Sequence, residues 1–419
     1  MRHALIVLIA AGRLAAADLS GVWVAEIAGP GDPQYARVVL KSEGPKLTGT
    51  WGSGTLEGTE DGGHLRLALR RGGALKGTLS GVAYVGDGEI AGGRGGQMQH
   101  VSWKLTRMPL HSGGPKTVDF EPKEFSGYYS AAVPPVLRVF PGDTIKTRTY
   151  DGGGADKDKH SPGANPETGP FYIEGALPGD TLVVRLTRVR VNRDSARQGN
   201  RINGRTVTPA FVAAAHYDPA FDSEWKLDLE KNIAMLAHPT ERMKNFRVPI
   251  LPMIGCIATA PAGRLSYRGT DLGPYGGNMD YNQMVEGATL YLPVSHPGAL
   301  LFLGDGHAAM GDGELTGSAL ETSLNVELTV DVVKDMQTVN PRLENADYLM
   351  SMGVAGSVPD SIQLATSQLA DWLKADYKLN DNEVAVLLGA ILKYDITEMV
   401  DSQFNVVAKV PKSALAGLR

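Results

Sequence analysis

The 419-residue sequence has a single cysteine, no surplus of positive charge, no blocks of like charge and, beyond its N-terminus, no long apolar run. One thiol, Cys256, cannot close a disulfide within the chain, so no covalent staple shapes the fold. The formal net charge is -5, from 41 Lys and Arg against 46 Asp and Glu. That balance lacks the concentrated basic field that nucleic-acid binding requires. Without a run of about 18 apolar residues, no membrane span is expected. The absence of charge blocks excludes an acidic or basic interaction tail.

What is present is glycine and proline, 51 and 25 residues respectively, which implies many tight turns and short strands. Hydrophobic residues make up 42%, enough for a substantial core, and the length implies more than one domain. Residues 1–17 read as a signal peptide: Arg2 and His3, an apolar stretch over 4–11, then Ala15-Ala16-Ala17 before Asp18. The implied location is periplasmic or secreted, with cleavage near Ala17. An ordinary buried N-terminal strand is the alternative.

Residues 18–108 carry alternating runs at 22–27, 35–41, 46–51, 65–69, 75–79 and 101–105, separated by glycine-rich turns. This spacing predicts a small all-β barrel or sandwich serving as an accessory domain. Trp23, Trp51 and Trp103 are read as core residues, a carbohydrate- or wall-binding surface being the alternative. Residues 109–124 read as a linker. From 125 to 419 the pattern is again mainly β, and Pro-Gly-Asp turns at Pro141 and Pro178 each precede an alternating strand. Two late helices are expected, over 361–377 and 384–392, the second opened by an Asn380…Glu383 capping box, with a strand over 406–410.

Three stretches carry side chains suited to chemistry. The richest places Asp305, His307, Asp312 and Glu314 among Gly304, Gly306, Gly311 and Gly313. Carboxylates and imidazole bind divalent metals or move protons, and glycine lets backbone approach a ligand closely. The pattern differs from the HExxH helix of zinc proteases, which has two histidines one turn apart. A second stretch holds Asn278 and Asp280 two positions apart, on one face of a strand. The third is Asn165-Pro-Glu-Thr-Gly-Pro-Phe-Tyr-Ile-Glu174-Gly, preceded by Asp151 and His160. Cys256 lies in an apolar run and reads as a small buried hydrophobe, since no base stands beside it in sequence.

Taken together and in order, these motifs resemble the acetamidase/formamidase family. Asp151 precedes the Asn165 to Asp180 string; a Pro252-Met-Ile-Gly-Cys-Ile segment follows, then Gly276-Gly-Asn-Met-Asp280 and Gly304-Asp-Gly-His-Ala-Ala-Met-Gly-Asp-Gly-Glu314. The resemblance spans about residues 125–419, and the 304–314 string is its specific part. It implies a β-sandwich core with a few C-terminal helices, preceded here by the additional β domain. It implies hydrolysis of a small linear amide of the formamide or acetamide type to carboxylate and ammonia. It also implies a homo-oligomer and, as in some relatives, a divalent metal such as zinc. Met310, where relatives often carry Gln, and the Cys256-Ile-Ala-Thr run depart from the usual pattern.

On this basis His307 and Asp280 are the expected metal ligands, with Asp151 or Asp305 as the third. Glu314 or Asp312 would be the general base, Asn278 and the backbone around 311–313 would hold the oxyanion, and Glu174 would orient a ligand. A nucleophilic route through Cys256 or Ser318 is the other enzymatic reading. A non-catalytic exported binding protein, or a hydrolase of a lactam or larger amidated polymer, remain as alternatives.

Overall fold

The structure, a computed structural model, describes residues 18–29, 31–70, 72–92, 97–158 and 165–418. The proposed signal peptide and His160 lie outside the described residues. The chain divides into two compact units, one ending at Leu110 and one beginning at His111.

The first unit is a closed antiparallel barrel of eight strands. In order they are β1 (Gly21–Ala28), β2 (Gln34–Glu43), β3 (Lys46–Trp51), β4 (Gly54–Asp61), β5 (His64–Leu69), β6 (Gly73–Ser80), β7 (Ala83–Gly92) and β8 (Gln97–Arg107). Each strand pairs with the next, and β8 returns to β1 with Trp23 opposite Arg107. The alternation read from the sequence fills the interior: along β5, Leu65 and Leu67 point inward and His64 and Arg66 outward. Trp23 and Trp103 are buried in this core, and Trp51 is half-buried at its edge. Trp23 satisfies its indole by donating to the Leu19 carbonyl at 2.9 Å.

The second unit is built on a nine-stranded and a six-stranded sheet. Side chains from both, including Ile145, Leu182, Leu290 and Leu328 of the larger and Phe171, Ile254 and Leu301 of the smaller, share one core. The two Pro-Gly-Asp turns have the same local geometry. Gly142 and Gly179 take φ of +92° and +97°, and the following Asp143 and Asp180 carboxylates accept the Phe140 and Leu177 amides at 2.8 and 2.9 Å. Each turn launches a strand, Thr144–Thr149 and Thr181–Val191, and both strands pair with Leu324–Val333. Residues 117–119, within the stretch read as a linker, form the edge strand of the same sheet.

The late helices run over Val358–Tyr377 and Asp381–Ile391, and the capping box at Asn380 and Glu383 is closed in both directions. The first helix covers the strands Tyr348–Ala355 and Phe404–Pro411 through Ala365, Leu369 and Leu373. Contact is so close at Gly353 that a Cβ there would lie 1.9 Å from the Ser361 carbonyl oxygen. Among the described residues no helix is long and apolar enough to cross a membrane.

Candidate active site

The smaller sheet assembles the site. Its central strand, Leu301–His307, pairs with Met253–Ala258 so that His307 faces Met253 and Gly304 faces Cys256. Cys256 in turn faces Asn278 on Gly276–Asn278, and the chain then turns at Asp280. Asp305, His307, Cys256, Asn278 and Asp280 thus arrive from three adjacent strands. Glu314 enters from the following loop, which is held by the Gly313 amide donating to the Thr397 carbonyl at 3.1 Å. Glu321 bridges to His307, and Glu398 to Gly313.

All of these side chains are buried; Asp280 and His307 have no exposed surface at all. Four non-glycine residues here hold a left-handed backbone: Asn165, Asp280, Asp305 and Glu314, at φ of +40° to +56°. Such conformations cost about 1–3 kcal/mol each and gather where function demands a fixed geometry. The strand beneath passes only because residue 255 is glycine. A Cβ there would lie 2.5 Å from Asp280 Oδ1 and 2.6 Å from Asp305 Oδ2.

His307 is the centre. Its Nε2 faces two carboxylates, Asp305 Oδ1 at 3.0 Å and Glu321 Oε1 at 3.3 Å. Two acceptors on one ring nitrogen fix a proton there. Glu321 is itself oriented by the amides of Gly152 and Ala319, at 3.0 and 2.8 Å. The other ring nitrogen, Nδ1, points to Asp280 Oδ1 at 3.9 Å and has no hydrogen-bond partner. Neither oxygen of Asp280 has a partner either. Asp280, His307 and Glu314 offer three ligand atoms within 4.8 Å of one another; so do Asp305, His307 and Glu321, and Asp280, Glu398 and Asp401.

The electrostatics show too much negative charge for one histidine. Burial opposes an imidazolium, but Asp305 and Glu321 overcome it and lift His307 well above its usual range. Burial likewise works against the Asp305 carboxylate, and His307 wins, holding it below normal. For the other acids burial and neighbouring carboxylates outweigh that cation. Burial, then the Glu314 and Asp305 charges, drives Asp280 well up. Glu314 rises for the same first reason. Glu398 is pushed to about 8 by burial and Asp401, and Asp401 to about 6 by burial. A buried divalent cation would supply the charge that this group of carboxylates lacks. The unpartnered Asp280 oxygens and His307 Nδ1 are the atoms left to hold it, and Asp305 and Glu321 would lock the ring from behind.

The residues singled out in the sequence separate into two sets. Asp280, Asp305, His307, Glu314 and Asn278 come together. Asp151, Glu174 and Asp312 do not join the ligand atoms. Asp151 is bound to Arg193, which also donates to the Glu321 carbonyl at 2.9 Å, so it braces the cluster from outside. Glu174 accepts from Arg138 Nε at 2.6 Å at the far end of the Thr168–Ile173 strand. Asp312 is exposed and accepts from Asn282 at 2.7 Å, because the glycines around it carry the loop tip into solvent. The Asn278 amide donates to Asp401 at 2.6 Å, so it is already used.

Sequence reading missed Glu167, Glu321, Glu398 and Asp401. Glu167 lay within the quoted Asn165 motif; the others come from segments with no motif of their own. Cys256 is more than a small apolar side chain. Its Sγ lies 2.6 Å from Asn278 Oδ1 and 3.8 Å from Asp305 Oδ2. Burial and the charges of Glu167, Asp305 and Asp280 raise the thiol well above normal. It is held protonated, the opposite of what a nucleophilic cysteine requires.

Residues 273–401 match the model of the Acetamidase/Formamidase family. The chain is 25% identical over 255 residues to a formamidase of Methylophilus methylotrophus, covering 48% of this chain and 62% of that protein. It is 36% identical over 212 residues to a putative formamidase of Schizosaccharomyces pombe, covering 40% of this chain and 52% of that one. The chain therefore spans between half and two thirds of these relatives' length. Among solved structures, an acetamidase from Yersinia enterocolitica superposes with a TM-score of 0.61 at 29% identity, over 72% of this chain and 94% of its own. A predicted acetamidase/formamidase from Thermoanaerobacter tengcongensis gives the same TM-score at 26% identity, over 73% and 99%.

Proposed function

We propose that this chain, whose second unit carries the fold and the matching segment of the acetamidase/formamidase family, hydrolyses the C–N bond of a small linear amide to carboxylate and ammonia. The observation that carries this reading is the set of buried, unpartnered atoms on Asp280 and His307 facing each other beside Glu314. Asp280, His307 Nδ1 and Glu314 would hold a divalent cation, and this donor set of imidazole and carboxylates suits zinc. When bound, such an ion lowers the pKa of water to about 7 and polarises the amide carbonyl.

The chain's own groups supply the rest. Glu398 Oε2 has no partner, and its carboxyl is pushed to about 8. In its ionised form it would take a proton from the attacking water and return it to the leaving nitrogen. Its other oxygen is anchored by the Val400 and Asp401 amides, which keeps it in place. Asp305 and Glu321 hold the His307 ring. Burial excludes bulk water from all of these groups.

His307→Ala should lose metal content and ammonia release from formamide and acetamide while keeping its circular dichroism and melting transition. Full activity in that variant would remove the proposal. Cys256→Ala separates this reading from the nucleophilic route. Because the thiol stays protonated, the variant should keep activity to within about tenfold, or ~1.4 kcal/mol. A larger loss that a chelator does not reproduce would favour acyl transfer through sulfur.

A further inference from the structure

A cavity of the C-terminal unit shares no residue with the acidic cluster. It lies between the nine-stranded sheet and the Val358–Tyr377 helix and encloses about 520 Å³. That is within the range of small-molecule sites, roughly 300–1,000 Å³. Its charged lining is nearly all spent. Glu344 accepts from Lys412 Nζ at 2.6 Å and from the Tyr291 hydroxyl. Asp376 accepts from the Trp372 indole at 2.8 Å. Arg342 is the exception. It is half-buried, its Nε has no hydrogen-bond partner, and among the described residues its guanidinium makes no ion pair. Asp376 and Asp371 act on it only from beyond salt-bridge distance. The group instead lies 5.1 Å over the Trp372 ring, and that ring is packed edge-on against Tyr291. Beside it the Thr338 hydroxyl, on a residue 3% exposed, is also without a partner.

A guanidinium held over an aromatic ring at a cavity wall, with no carboxylate paired to it, can offer its N–H groups to one planar anion. Leu349, Leu415 and Leu418 supply an apolar part of the wall. Over the whole lining Arg342 and Lys412 balance Glu344 and Asp376, but Lys412 is already paired with Glu344 and Asp376 does not reach Arg342. Arg342 is thus the cation without a paired carboxylate, and a dianion would meet two carboxylates. We propose that this cavity binds a small monocarboxylate with an apolar body, its carboxylate paired with Arg342 and its body against Trp372, Leu349 and Leu415. This inference does not depend on the proposed hydrolysis.

Titration calorimetry of the full chain tests it, with benzoate as the probe and benzyl alcohol as the neutral control. Saturable benzoate binding is expected in the native protein and in His307→Ala, with none for benzyl alcohol. Arg342→Gln should weaken benzoate at least tenfold. If that variant does not fold, Ala416→Trp fills the exposed rim of the cavity without touching Arg342 and should abolish binding. Absence of saturable heat, equal binding in Arg342→Gln or Ala416→Trp, or binding lost in His307→Ala would each overturn the proposal. The last result would assign benzoate to the acidic cluster.

Discussion

One methyl group tests the crowding beneath the acidic cluster. Gly255→Ala would place carbon 2.5 Å from Asp280 Oδ1, and the carboxylates must move. A displacement near 1 Å of a reacting group costs on the order of a hundredfold in rate. The variant should therefore fold, bind metal weakly and release ammonia about a hundredfold more slowly; parallel assays of metal content and rate check this. Glu167 gives a test in pH. It is fully buried, burial pushes it to about 8, and Tyr129 donates to it at 2.8 Å. Its folded value lies above its unfolded value near 4.5. The stability it contributes is therefore complete below about pH 4.5 and is lost as pH rises toward 8. In chelated protein, urea unfolding between pH 5 and 8 should show falling stability, by at most ~1.4 kcal/mol per pH unit from this group. Glu167→Gln should flatten that slope; an unchanged slope would place the titration elsewhere. At this scale the sequence made Asp280, Asp305, His307 and Glu314 legible, because glycines and acids crowd there within short strings. Glu321, Glu398 and Asp401 were not legible, since only strand pairing brings them to His307 and Asp280. Asp312 shares the string but not the pocket, because nothing in the spacing says which way a glycine-flanked loop tip turns.

The elements that could be read were those whose signals are local. The Asp381–Ile391 helix begins where Asn380 accepts from the Glu383 amide at 3.0 Å and Glu383 accepts from the Asn380 amide at 2.7 Å. Asn380→Ala should cost about 1 kcal/mol, seen as a shift of the chemical unfolding midpoint without a change in slope. The Pro-Gly-Asp turns were equally plain, since the asparaginyl-like reach of each Asp carboxylate back to the turn is fixed by three residues. Strands β4 and β7 were not seen. Gly58, Gly86 and Gly88 interrupt their alternation, yet each is where a neighbouring strand's backbone comes closest, with Arg66, Lys76 and Ala74 carbonyl oxygens 2.0–2.4 Å from the missing Cβ. The pairing that closes the barrel thus depends on residues that weaken the pattern by which strands are recognised.

For the molecule as a whole, the two units separate stability from chemistry. Every residue of the acidic cluster belongs to the unit that begins at His111. Trp103 is buried in the barrel core, and Trp103→Ala should destabilise that unit by about 3–5 kcal/mol. The calorimetric transition of the barrel should fall in temperature while ammonia release below the first transition stays unchanged. The mainly β architecture was legible because turns and alternation recur along both units; the division into a nine-stranded and a six-stranded sheet was not, since it is set by long-range pairing such as Arg185 with Asp331's strand across more than a hundred residues. The central claim is that one buried group of acids around His307 holds a cation and hydrolyses an amide. Its most direct test is ammonia release from formamide and acetamide by chelator-treated protein, followed with metal content as zinc is restored. The account predicts activity that disappears with the metal and returns in proportion to the ion bound per chain. Undiminished activity in protein free of metal would contradict it.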